Sequence, residues 1–186
     1  MKRSWIIIGI IVAAVVIFFW TAYNKLVTAN EQVDNQWAQV ETQYQRRFDL
    51  IPNLVESVKG MMAQEQKIFG DLAEARTKYS GAQTVNEKAE AATQVESALS
   101  RLLVIVENYP ELKSSENVQT LMSQLEGTEN RISVERKRFN DTVQGYNLMI
   151  KRIPTRWVAG MFGFSAKNYF EAAQGAENAP KVELTK

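Results

Sequence analysis

Residues 5–20 (WIIIGIIVAAVVIFFW) contain no charged or strongly polar side chain, and the uncharged run continues through Thr21, Ala22 and Tyr23. At ~1.5 Å per residue, residues 5–23 cover roughly 28 Å as a helix, close to the ~30 Å hydrocarbon core of a bilayer. Trp5 stands at one end and Trp20 with Tyr23 at the other, where amphipathic rings meet the two headgroup layers. The run is apolar all round rather than on one face, unlike a helix lying in the interface. A cleaved signal peptide would show a shorter apolar region followed by small residues. Here the run closes on Phe18-Phe19-Trp20, and no cysteine is present for lipid attachment. A buried core helix of this length would be expected to carry some polar face. Residues 1–23 are therefore expected to be a single-pass transmembrane anchor in contact with the lipid bilayer. Lys2, Arg3 and the α-amino group precede the span and only Lys25 follows closely. This favours a cytoplasmic amino end and an extracytoplasmic bulk.

Lys and Arg total 22 against 21 Asp and Glu, so the chain is nearly neutral. Phosphate binding needs a concentrated positive field, and the densest basic run is Arg136-Lys137-Arg138. No nucleic-acid partner is expected. Cysteine and histidine are both absent, which removes thiol nucleophiles, disulfides, thiolate metal sites and the usual acid–base group at neutral pH.

Beyond the span the hydrophobic period is helical. Leu26, Val33, Trp37, Val40, Tyr44, Phe48, Ile51, Val55, Val58 and Met62 follow steps of mostly three and four. Ile68, Leu72 and Tyr79 extend the stripe to Ser80-Gly81, with a kink expected at Pro52. Thr84-Val85-Asn86-Glu87 reads as a capping box opening a second helix that Pro110 ends. Ser114 or Ser115 opens a third, running to Pro154. Residues 154–164 (PTRWVAGMFGF) show no clean period and read either as a plug closing the bundle or as a membrane-dipping or partner-binding loop. A short helix is expected from Ser165 through Tyr169 and Phe170 to Gly175, and a disordered tail over 176–186. The fold class is all-α: a single transmembrane helix continuing into an elongated antiparallel bundle (24–175) of three long helices plus a short C-terminal one.

In an up-down-up arrangement the second helix, of about 25 residues, is too short to cover the first one back to the span. The stripe Leu26, Val33, Trp37, Val40 and Tyr44 would then lack a partner, which points to self-association with other subunits in a coiled-coil manner. Arg46, Asp49 and Asn53 on the first helix, with Glu126, Asn130, Asn140 and Asn147 on the third, lie beside the apolar stripes. They read as a polar network that sets register. A carboxylate pair, Glu126 with Glu129 or Glu65 with Asp71, is the catalytic alternative. A bundle di-metal site would normally use Glu-x-x-His, and there is no His. No phosphate loop or nucleophile elbow occurs either. No catalytic, cofactor-binding or metal-binding residue is assigned.

Tyr23-Asn24-x-Leu26-Val27, Arg46-Arg47-x-Asp49-Leu50-Ile51-Pro52-Asn53-Leu54-Val55 with Val58-Lys59-Gly60, and Ala75-Arg76 resemble the LemA family. So do Leu99-Ser100-Arg101-Leu102, Glu107-x-Tyr109-Pro110-x-Leu112-Lys113, Leu125-Glu126-Gly127-Thr128-Glu129-Asn130-x-Ile132 and Phe139-Asn140 with Tyr146-Asn147. Pro154, Ala159-Gly160, Gly163-Phe164, Tyr169-Phe170 and Ala179-Pro180-Lys181-Val182 complete the likeness across essentially the whole chain. Phe139 stands where the family more often has Tyr, and Phe48 where Ala is common. The resemblance implies a bacterial inner-membrane protein with a helical bundle and brings no enzymatic activity. A related branch is associated with forming internal membranes, and family descriptions place the short amino end outside, against the charge count. The expected function is a non-enzymatic, self-assembling structural or scaffold protein of the bacterial envelope. The alternatives are an adaptor for an envelope protein or protease, and a membrane-remodelling role.

Overall fold

The computed structural model describes residues 2–62 and 64–170. Among them are six helices and no strand: α1 (Lys2–Lys59), α2 (Gln66–Gly81), α3 (Val85–Glu107), α4 (Pro110–Lys113), α5 (Glu116–Lys151) and α6 (Thr155–Met161). The class is all-α. Two compact units divide the chain: one takes residues up to Glu41 with Val134–Tyr169, the other takes Thr42–Ser133. The expected tail over 176–186, and the end of the short helix at Gly175, lie outside the described residues.

α1 holds 58 residues and is not terminated at Pro52. Proline removes one hydrogen bond and costs about 3 kcal/mol in a helix interior. Pro52 faces outward, however, while Phe48, Ile51, Leu54 and Val58 are buried around it, so packing holds the helix together. The first expected helix instead divides at Gly60. Val58 O accepts from both Met61 N and Met62 N at 3.1 and 3.0 Å, and Glu65 N closes onto Met62 O at 2.9 Å. Glycine at the end of a helix gives up little helix stability there. Buried Met62 pins the reversal from inside.

Within the Thr42–Ser133 unit, α2 runs back along α1. The Tyr79 ring lies 5.7 Å from Tyr44 and 4.7 Å from Phe48. α3 then packs on α2. Its start is the expected capping box: Glu87 N donates to Thr84 Oγ1 at 3.2 Å, and Glu87 Oε2 accepts from Thr84 N at 3.1 Å. Backbone N–H groups of Gln83 and Thr84 hold the Glu87 carboxyl below its ordinary range. Pro110 opens the one-turn α4 after α3 has already ended at Glu107.

Within the other unit, α5 runs antiparallel to α1. Trp37 meets Phe139 at 5.3 Å and Gln36 Nε2 donates to Glu135 at 2.8 Å. Nearer the amino end, Ala22 and Leu26 share a core with Met149 and Ile150. This corrects the expectation that Leu26, Val33, Trp37, Val40 and Tyr44 have no partner within the chain. All five are buried in a single copy, Trp37 being the most exposed at 8%. The reason is parity: the reversal at Gly60 adds one helix to the count, so α5 travels back toward the span instead of away from it.

A second correction concerns the C-terminal region. The segment expected to be irregular forms α6, and no helix occurs over 165–170. α6 ends where Phe164 N donates to Ala159 O at 2.9 Å across Gly163, whose φ of +75° is one that glycine adopts at no steric cost.

Candidate functional site

The residues singled out from sequence fall in two places. In the Thr42–Ser133 unit the buried ionic group is built from Arg47, Glu96 and Glu129 and not from the residues expected to form the polar network. Arg46, Asp49, Asn53, Glu126 and Asn130 are exposed, and Asp49 merely accepts from Gln45 Nε2 at 2.7 Å on its own helix. The buried cation is Arg47, 5% exposed. Its Nη1 donates to Glu129 and lies 3.8 Å from Glu96, whose carboxylate also meets Tyr44 Oη at 3.4 Å. Arg47 lies three residues after Tyr44 and four before Ile51, on the stripe itself. That step was the available signal. Of the other two network residues, Asn140 is half-buried and Asn147 buried, both in the first unit.

Asn147 bonds to main chain. Its Nδ2 donates to Lys167 O and its Oδ1 accepts from Lys167 N, each at 2.9 Å. Beside it the Tyr146 hydroxyl donates to Ser165 O at 3.0 Å, and Lys167 Nζ reaches Asp34 at 3.2 Å. Together these bonds strap the chain after α6 onto α5 and α1. Asn147→Ala leaves two backbone groups without partners and is expected to cost about 2 kcal/mol. Hydrogen exchange at Lys167 N should accelerate accordingly. Burial, with a smaller contribution from the Asp34 charge, raises the Tyr146 phenol above its usual 10.0. A phenol whose pKa is raised on folding contributes stability that is intact below its unfolded value and declines as pH climbs past it. The stability difference between wild type and Tyr146→Phe should therefore shrink above about pH 10, read from denaturant midpoints at pH 8 and 10.5.

The strap positions α6. Val158 and Ala159 pack on Ala22 and Leu26, with Phe19 and Phe164 at the edge. Tyr23 lies 4.8 Å from the Phe162 ring and 6.0 Å from Phe164. α6 thus sits against α1 where the apolar span ends. Along the span itself, burial gives way to exposure: Trp5 is 73% and Trp20 71% exposed, with Ile and Val open between them. This is the one helix among the described residues long and apolar enough to cross a membrane. Two open grooves flank the corner. One, of about 460 Å³, has Phe18, Ala22, Leu148 and Met149 in its walls with Lys25 and Arg152. The other, of about 380 Å³, has Ile150, Ala159 and Phe164 with Lys151 and Arg156. The apolar character of 154–164 is plain in the sequence, but the helix within it and the cations gathered round it are not, because 151–164 lacks a period.

Among the described residues no group of three or more Asp or Glu could hold a metal ion. Of the two carboxylate pairs considered for catalysis, Glu126 is exposed and Glu129 serves Arg47, while Glu65 lies in the Gly60 reversal and Asp71 on α2.

The LemA family model matches residues 36–184. The chain belongs to the LemA family. The match covers most of the helical body and begins after the span. Among similar proteins, magnetosome proteins MamQ 1 and MamQ 2 of Paramagnetospirillum magneticum are each 28% identical over 175 residues. Those alignments cover 80% of this chain and 64% of each relative, so this LemA-family chain spans less than two thirds of their length. Magnetosome protein MamQ of Magnetospirillum gryphiswaldense is 27% identical over 194 residues, 89% of this chain and 71% of the relative.

Proposed function

We propose that this LemA-family protein is a non-enzymatic structural protein of the bacterial cell membrane, held by residues 5–23 and carrying its helical body outside the bilayer. One observation carries the reading: along the single helix α1, side chains from Trp5 to Trp20 are apolar and, Phe19 apart, exposed, and they become periodically buried from Ala22 onward. A bare apolar cylinder joined without a break to a packed body suits a bilayer below and water above. Trp5, Trp20 and Tyr23 are the interface residues of this reading. The relation to magnetosome proteins supports a role in organising membrane, with an adaptor for an envelope protein as the second reading. Self-assembly belongs to the proposal only through surfaces other than the Leu26–Tyr44 stripe, which each copy already uses internally.

Complementation of the deleted gene tests this, scored on the growth or membrane morphology of the deletion strain. Glu65→Gln, Asp71→Asn and Glu126→Gln are expected to restore the wild type. A chain whose span is exchanged for a cleavable signal peptide is expected to fail. Loss of function from any one of those carboxylate changes at normal protein level would overturn the reading of these residues as dispensable and bring the catalytic alternative back. The side of the membrane is read from protease digestion of intact spheroplasts, where the charge count of Lys2 and Arg3 against Lys25 predicts that the body is cleaved.

A further inference from the structure

The outer face of the α5–α6 corner is apolar and unused. Ile153 is 67% exposed, Trp157 62%, Met161 67% and Phe162 51%. Trp157 and Met161 are one helical turn apart and share a face, while Val158 and Ala159 point inward to Ala22 and Leu26. Lys25, Lys151, Arg152 and Arg156 surround the same corner, none of them ion-paired among the described residues. No Asp or Glu occurs in residues 1–30 or 142–170. A chain that is neutral overall therefore presents a purely cationic collar at one level, against the last turns of the span.

We propose that this corner is a second membrane contact, with α6 lying in the headgroup layer and its cations holding anionic phospholipid. The inference rests on the anchor reading above. Three features select a bilayer rather than a protein as the occupant. The apolar face is continuous with the span through Tyr23 and Phe162. The combination of Trp and Phe with flanking Lys and Arg is that of helices seated at the acyl–headgroup boundary. Each groove has apolar walls with a cation pair, Lys25 with Arg152 and Lys151 with Arg156, the arrangement that an acyl chain and its phosphate require. The Asn147 and Tyr146 strap holds this face in place.

The natural chain has no cysteine, so single labels are unambiguous. Full-length Trp157→Cys, Val15→Cys and Lys137→Cys, each carrying a nitroxide, are placed in nanodiscs of phosphatidylcholine with or without phosphatidylglycerol. Depth is measured from collisions with oxygen and with a water-soluble nickel complex. Val15 is expected in the acyl core, Lys137 in water, and position 157 at the acyl–headgroup boundary when phosphatidylglycerol is present. Replacing Lys151, Arg152 and Arg156 by Gln in the Trp157→Cys chain should weaken its preference for the anionic lipid about tenfold or more. A label at 157 as water-accessible as at 137, with Val15 still in the core, overturns the second contact, leaves the anchor standing and assigns the face to a protein partner. A boundary depth indifferent to phosphatidylglycerol and to the triple change overturns the headgroup assignment. A water-exposed Val15 overturns the anchor and this inference together.

Discussion

Ile11→Asp combined with Val15→Asp is expected to move the protein out of the membrane fraction, whereas Ile11→Asp alone leaves much of it integrated. The eleven Ile, Val and Phe residues between 5 and 20 supply roughly −3 to −7 kcal/mol toward insertion at about −0.3 to −0.6 each. One central aspartate opposes this with about 3 kcal/mol and two with about 6, so the second substitution tips the balance. No packing inside the chain can shelter either carboxylate, because Ile11 is 57% and Val15 50% exposed. Alkaline carbonate extraction reads the outcome: wild type stays in the pellet and the double variant in the supernatant. A double variant that stays in the pellet would mean the segment is covered by protein rather than lipid.

The anchor was legible because it needs no tertiary information: length, uniform apolarity and flanking rings suffice. The helical class was legible for a related reason, since a period of 3.6 residues repeats along most of the chain. What failed was direction. Val55, Val58 and Met62 step across Gly60 without a break in period, so the stripe reads as one helix although the backbone reverses there. That single reversal flips the direction of everything downstream. It converts an apparently bare stripe into one buried within the chain, with α5 on Leu26 and Trp37 and α2 on Tyr44. α6 stayed invisible because seven residues with two inward positions, Val158 and Ala159, cannot display a period. Arg47 is not legible as the buried cation because charged residues are seldom fully buried, and the adjacent Arg46 offers the same charge beside the stripe instead of on it.

Arg47 also yields a prediction whose sign depends on who is buried. Its side chain is 6% exposed, that of Glu96 20% and that of Glu129 44%. Removing one member of an ion pair is costly when the charge left behind stays out of water. Arg47→Leu leaves two carboxylates, and Glu129 can turn to solvent, so the expected loss is about 1–2 kcal/mol. Glu96→Gln with Glu129→Gln leaves a guanidinium that cannot be deprotonated, on a side chain only 6% exposed, without the two carboxylate charges that face it. The expected loss is about 3–5 kcal/mol, although both substitutions keep the number of non-hydrogen atoms and the side-chain shape. Urea midpoints of the full chain in detergent compare the two directly. A pair of glutamines tolerated better than the leucine would show that Arg47 acts through the packing of its methylene stem rather than its charge. The ordering expected here makes Arg47 a residue that specifies one arrangement of α1, α3 and α5, because only helices that bring both carboxylates to it avoid stranding the charge.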